Sequence, residues 1–351
     1  MWAKGAHTVR AVAAQTLLSV LVLASCRIES AAPATTAACA SSSPAGDVWI
    51  YTSMYRHVLD ALDPVLKSEL PAVQVHWFQA GSEKVLSRLE AELSAGGTQA
   101  DLLATSDPFL YARLSREGRL ARYVSPNALR APRELVDLDG TYAALRLSTM
   151  VLVHRRDLAS PPESFASLSD ARFKSEVALG DPLTSGTAFT WAVFMEHALG
   201  ADWFGKLRAN EARVAGGNAA VLQKLEGGEA TVGVLLLENA LAAKAKGSPI
   251  ETVWPSDGAV VIPGFIGMFA SSRNPVAARA VYDVLMSPKA QALIVAPGDM
   301  HAIDPRQPGP RGERGLDELM KSSQRWTPEL LERGERDGAN LKAAFAEAFA
   351  K

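Results

Sequence analysis

The sequence predicts an α/β protein of two lobes, each a mostly parallel sheet flanked by helices, with a cleft between the lobes. Three observations predict it. The chain has 351 residues, more than one hydrophobic core holds, since single cores stop growing at about 250–300 residues. From Asp47 onward, short apolar runs alternate with amphipathic stretches, the pattern of βαβ units. Two further segments, STMVLVHRRDL (148–158) and VVIPGFIGMFASS (260–272), read as strands that leave the first lobe and return to it. Two crossings of that kind make a hinge. With 48% hydrophobic and 21% charged residues, the chain has ample material for two cores.

The amino terminus reads as an address. Lys4, His7 and Arg10 precede an uncharged apolar stretch over 11–25, short for a mature membrane span but fitted to an export signal. It ends in Leu23-Ala24-Ser25-Cys26, which matches the lipobox of bacterial lipoprotein signals, so lipidation is expected at Cys26. The other reading is an ordinary cleavable signal with an incidental cysteine. Residues 27–46 are rich in Ala, Ser, Thr and Pro with no apolar period, and read as a flexible tether. Cys39 lies inside it, with no role beyond a free thiol or an occasional intermolecular disulfide.

The first lobe starts with DVWIYTS as a strand. Residues 55–70 then place Val58, Leu59, Leu62, Val65 and Leu66 at helical spacing, and VQVHWF (73–78) returns to strand character. A helix follows from Ser82 through Leu86, Leu89 and Leu93, stopped by Gly96-Gly97, and ADLLATSDP supplies a buried strand. Thr52, Ser53, Ser82, Thr105, Ser106 and Asp107 gather just after strand ends or at helix starts. In open α/β sheets ligands bind beyond the carboxyl ends of strands, so Thr52, Ser53, Ser82, Ser106 and Asp107 of this cluster are candidate binding residues.

The second lobe contains VALGDP (177–182), a helix starting near SGTAFTW, a helix over NAAVLQKLEGG and a strand over ATVGVLLLEN. Thr184, Ser185, Gly186 and Thr187 stand at a helix start, where backbone N–H groups and hydroxyls converge on an anion or simply cap the helix. Glu238 and Asn239 close an apolar run and have the same two readings, a helix cap or a reach into the cleft. Beyond residue 305 a Pro/Gly-rich charged segment precedes a terminal helix, LLERGERDGANLKAAFAEAFA.

Several function classes fall away. With 36 basic and 38 acidic residues the net charge is −2, and no dense basic stripe invites nucleic acid. Cys26 and Cys39 are the two cysteines, so the body has no disulfide framework or cysteine metal cluster. There is no GxSxG, HExxH, Walker loop or GxGxxG after the first strand, so the chain is not expected to be an enzyme, nor to hold a cofactor or resident metal. His57, His76, His154, His197 and His301 are isolated, with Glu196-His197 on an amphipathic helix. Trp77, Trp191, Trp203 and Trp254 read as core or cleft-edge aromatics, with the core reading favoured for each.

The segments VWIYTSMY, FQAGSEKVLSRLEAELSAGGTQADLLATSDP, GDPLTSGTAFTW, LEGGEATVGVLLLEN and VVIPGFIGMF, spread over about 47–305, together resemble the extracellular solute-binding proteins of bacterial ABC importers. Within them the chain is similar to the periplasmic ferric-iron-binding group. The resemblance implies a type II periplasmic-binding-protein fold, a monomer that closes on a solute, and delivery to an inner-membrane permease driven by a cytoplasmic ATPase. It divides the chain into a signal and lipidation site (1–26), a linker (27–46), the first part of lobe one (47–148), lobe two (149–264), and a return to lobe one with C-terminal helices (265–351).

Carried over residue by residue, the resemblance sets Glu238 and Asn239 where iron binders have a tandem tyrosine pair. The usual histidine of the first loop falls at Tyr55, and the usual acidic ligand at or beside Ser106, with Asp107 adjacent. Ser185, Gly186 and Thr187 stand where relatives hold carbonate or phosphate. The implied solute is therefore a small anion, such as an organic phosphate or phosphonate, whose far end Glu238 and Asn239 read. The alternatives are ferric iron on Tyr55, Glu238 and Asp107 with an exogenous anion, or a sensory lipoprotein that docks on a receptor or kinase rather than a permease.

Overall fold

A computed structural model describes residues 43–214 and 216–349. Cys26, Cys39 and nearly all of the tether lie outside the described residues. The chain runs β1 (Gly46–Thr52), α1 (Arg56–Glu69), β2 (Val73–Gln79), α2 (Ser82–Ser94), β3 (Leu102–Thr105), α3 (Pro108–Arg116) and β4 (Tyr142–Arg155). It continues with β5 (Val177–Leu179), α4 (Gly186–Leu199), α5 (Asp202–Ala209), β6 (Arg213–Val214), α6 (Asn218–Glu226), β7 (Val232–Leu236), α7 (Leu237–Ala245), β8 (Ile250–Val253) and β9 (Val260–Met268). The last part is α8 (Pro275–Leu285), α9 (Pro288–Val295), β10 (His301–Ala302), α10 (Leu316–Ser322), α11 (Pro328–Arg336) and α12 (Gly338–Phe349).

The strands form one sheet in the order β2-β1-β3-β9-β4-β7-β5-β6, with β8 and β10 also paired to β4. Pairing is parallel toward both ends, where β1 joins β2 and β3 and where β5 joins β6 and β7. It is antiparallel in the middle, where β4 and β9 run beside each other and carry the chain between the two halves. β4 begins at Tyr142, six residues before the stretch that the sequence pattern marked, because Ala143, Ala144, Leu145 and Leu147 are buried in the same core as β1 and β3.

Apolar side chains separate into a first core and a second. The first joins Ile50, Leu59, Leu89 and Leu103 to Val281 and Leu285 of α8. The second gathers Trp191, Phe194, Trp203 and Leu207 with Val232 and Val234, and beside it lies a smaller cluster around Val221, Leu235 and Leu241. Trp191 and Trp203 stand edge to face at 6.0 Å, so for them the core assignment holds.

Two local expectations need correction. The helix bearing Glu196-His197 is not amphipathic: residues 186–195 of α4 are all buried, because it runs between the second core and the C-terminal helices, and Glu196 pairs with Arg333 there. The terminal helix is two helices, α11 and α12, separated at Asp337. Leu330, Leu331, Leu341 and Phe345 pack them on the second core. Among the described residues no helix is long and apolar enough to cross a membrane.

Candidate functional site

Six strands end at one place. The residues just beyond β1 (Ser53, Tyr55), β2 (Gly81, Ser82), β3 (Ser106), β5 (Thr184 to Thr187), β6 (Gly217 to Ala219) and β7 (Glu238, Asn239) line one cavity of about 270 Å³. Each strand feeds a helix, so the N-termini of α1, α2, α4, α6 and α7 border the same space, and their unpaired N–H groups and dipoles favour negative charge there. In α1, α2, α6 and α7 no side chain caps those N–H groups. The volume lies just below the usual range for drug-sized ligands, so the cavity suits a small solute.

Nine of the eleven sequence-named binding residues lie on this cavity: Ser53, Tyr55, Ser82, Ser106, Ser185, Gly186, Thr187, Glu238 and Asn239. The other two do not. Thr52 is buried, its hydroxyl donating to Ala104 O at 2.8 Å and accepting from Met54 N at 3.0 Å, which ties β1 to β3. Asp107 accepts from Leu110 N at 3.2 Å and caps α3. Burial pushes its carboxyl up to about 6, against the lowering by the α3 N–H groups.

The cap and the cleft turn out to be compatible at α4. Ser185 accepts from Ala188 N at 3.3 Å as an N-cap, and its hydroxyl also lies 3.2 Å from that of Thr187, which accepts from Asn218 Nδ2 at 3.2 Å. Asn218 Oδ1 in turn accepts from Leu236 N at 3.2 Å, joining the starts of α4, α6 and α7. Gly186 faces lobe one closely: a Cβ there would come within 3.0 Å of Ser82 Cβ. At α7 neither Glu238 nor Asn239 is the cap. The helix starts at Leu237 behind Leu236, so both lie in its first turn and face the cavity. Tyr55 Oη donates to Asn239 Oδ1 at 2.9 Å, across the two lobes.

Sequence reasoning missed the basic residue that lines the cavity, Arg146. It is 3% exposed. Its Nη2 donates to Ser106 Oγ at 2.9 Å and Ser53 Oγ at 3.4 Å, while Nε and Nη1 have no partner. Burial lowers its pKa and the nearby Glu238 raises it. The pairing of β4 with β9 slips between Ala144 and Arg146, a bulge that re-aims the following side chain. On β9 the facing residue is Gly264, where any Cβ would overlap the Arg146 guanidinium. A lone Arg inside the short apolar run Ala143-Ala144-Leu145-Arg146-Leu147 was the available signal; its glycine partner is 118 positions away and only the sheet pairs them.

Glu238 is also 3% exposed, and its Oε1 has no partner. Burial pushes its carboxyl up to about 7, while the Ser148 hydroxyl, Arg146 and the Thr149 N–H act to lower it. Burial and the Glu238 charge likewise raise the Tyr55 phenol, so it stays protonated. Among the described residues no group of three His, Cys, Asp or Glu side chains comes together.

The fold has close counterparts. The substrate-binding protein of an ABC transporter from Agrobacterium tumefaciens superposes with a TM-score of 0.76 at 19% identity, over 88% of this chain and 95% of that one. Iron-bound HitA from Pseudomonas aeruginosa gives 0.75 at 18% identity, over 86% and 99%. The periplasmic binding protein AfuA from Actinobacillus pleuropneumoniae, with fructose-6-phosphate bound, gives 0.76 at 19%, over 87% and 98%. These likenesses establish the two-lobed type II periplasmic-binding-protein fold. An uncharacterized protein of Haemophilus influenzae is 29% identical over 142 residues, which are 39% of this chain and 41% of that protein. The family model for bacterial extracellular solute-binding proteins matches residues 29–298, most of the 351-residue chain, and the chain belongs to that family.

Proposed function

We propose that the protein is the substrate-binding component of an ABC importer, a monomer that captures a small organic anion between its lobes and delivers it to a membrane permease. The observation that carries this reading is Arg146, a buried cation with two unpartnered nitrogens on a cavity bordered by five helix N-termini. A buried charged donor without a partner costs more than the 1–3 kcal/mol of a neutral one, and an anionic ligand removes that cost. Fructose-6-phosphate in AfuA and the transporter assignment of the Agrobacterium protein are consistent with it. We extend the proposal to export through the amino-terminal signal and anchoring by a lipid at Cys26.

Ferric iron is the weaker reading. Its donors would be Tyr55, Glu238 and Asp107 together with an exogenous anion, yet Asp107 is turned away to cap α3 and the Tyr55 hydroxyl is engaged with Asn239. A sensory lipoprotein would share the binding site and differ in its protein partner.

Thermal denaturation of the full chain with inorganic phosphate, small organic phosphates and phosphonates tests the ligand class. Stabilisation is expected, about 2.7 kcal/mol at one hundred times Kd, and Arg146→Gln should abolish it. A shift given by ferric salt alone would overturn the anion reading.

A further inference from the structure

This inference rests on the anion reading and narrows the ligand. The cavity holds two opposite charges that do not satisfy each other. Arg146 leaves Nε and Nη1 unpartnered and Glu238 leaves Oε1 unpartnered. No ion pair joins the two side chains among the described residues, although each senses the other's charge. Arg146 and Ser148 project from the same face of β4, roughly 7 Å apart at the usual strand rise, and Glu238 sits on the Ser148 side. The remaining lining side chains are hydroxyls, amides, a phenol and small or apolar groups, so with Glu238 ionised the cavity's formal charge sums to zero.

A plain organic anion would answer Arg146 and leave Glu238 either as a buried carboxylate facing added negative charge or as an acid that must take up a proton. Burying an uncompensated charge is costly. A ligand with a cationic donor at its other end answers both groups at once. We infer that the ligand is a small zwitterion, an amine-bearing phosphonate or phosphate ester, with its anionic group on Arg146 and its ammonium on Glu238. Glu238 is then the residue that sets specificity. In the competing account Glu238 only balances the charge of Arg146, and it then reads nothing in the ligand.

Matched ligands separate the two. Calorimetric titration of the full chain compares 2-aminoethylphosphonate with propylphosphonate, and 2-aminoethyl phosphate with propyl phosphate; each pair exchanges an ammonium for a methyl group. The expected result is at least tenfold tighter binding of the amine in each pair, falling below threefold in Glu238→Gln. Equal binding within the pairs by the wild-type chain overturns the inference and leaves the anion reading standing. A preference that survives in Glu238→Gln overturns the role given to Glu238. If none of the four ligands binds, the anion reading itself falls.

Discussion

At the residue scale the site depends on space and on charge held away from water. Gly264 supplies the space, since its missing Cβ is what lets the Arg146 guanidinium lie against β9. Gly264→Ala should therefore weaken anion binding at least tenfold in calorimetry by displacing the guanidinium; unchanged affinity would show that it has room to move. Glu238 illustrates the charge. Its carboxyl is raised from 4.5 to about 7, so between those pH values the native state holds more protons than the unfolded chain. Its contribution to stability consequently falls as pH rises through that window and levels off above it. Across the whole window the loss is on the order of 3 kcal/mol. Asp107, raised from 3.8 to about 6, acts in the same direction but is common to both chains in the comparison. Relative to wild type, Glu238→Gln should gain stability steadily from pH 4.5 to 7 in urea titrations, and a constant difference would refute the assignment.

At the element scale, the cavity is a meeting of helix starts. Their position was legible in the sequence because capping residues and strand ends are local signals: Ser82, Ser106 and Ser185 to Thr187 were all named from short stretches and all face the cavity. Thr52 and Asp107 carry the same local signal, yet their hydrogen bonds go to β3 and α3. A one-residue change in position around a strand end decides which way a side chain points, and composition does not record it. Ser185 serves both purposes, so Ser185→Ala has two separable effects. Loss of the α4 cap should destabilise the unliganded protein by about 1 kcal/mol. The gain in stability from added phosphonate should also shrink, as read by melting with and without ligand; a gain equal to that of wild type would leave Ser185 a cap alone.

At the scale of the whole molecule, β4 and β9 and the C-terminal helices connect the two cores. α11 pairs Glu335 with Arg116 of α3 and Arg333 with Glu196 of α4. α12 packs on α5 through Phe345 and Phe204, while Lys342 reaches Glu83 of α2 at 2.8 Å and lies over the Phe189 ring. Glu83 follows Ser82, which lines the cavity, so this pair ties the second core to the helix start at the binding site. Lys342→Met keeps the stem over Phe189 and removes the ammonium. A partly exposed pair is worth about 0.2–1 kcal/mol, so ligand affinity should fall by up to roughly fivefold with little change in melting temperature; a large loss of stability would mean that the pair holds the fold.

The sequence by itself determined the α/β class, two lobes, most of the strand and helix order in the first 270 residues, and most of the residues that meet at the cavity. Those follow from apolar periodicity and from turn and cap residues, which act over a few positions. Only the tertiary structure decided that Arg146 is the cavity's cation, that Gly264 makes room for it, and that α11 and α12 bridge both cores. Each of these depends on residues far apart in the chain, brought together by strand register and helix packing, and a buried charge reveals its purpose only once its unpaired atoms can be seen.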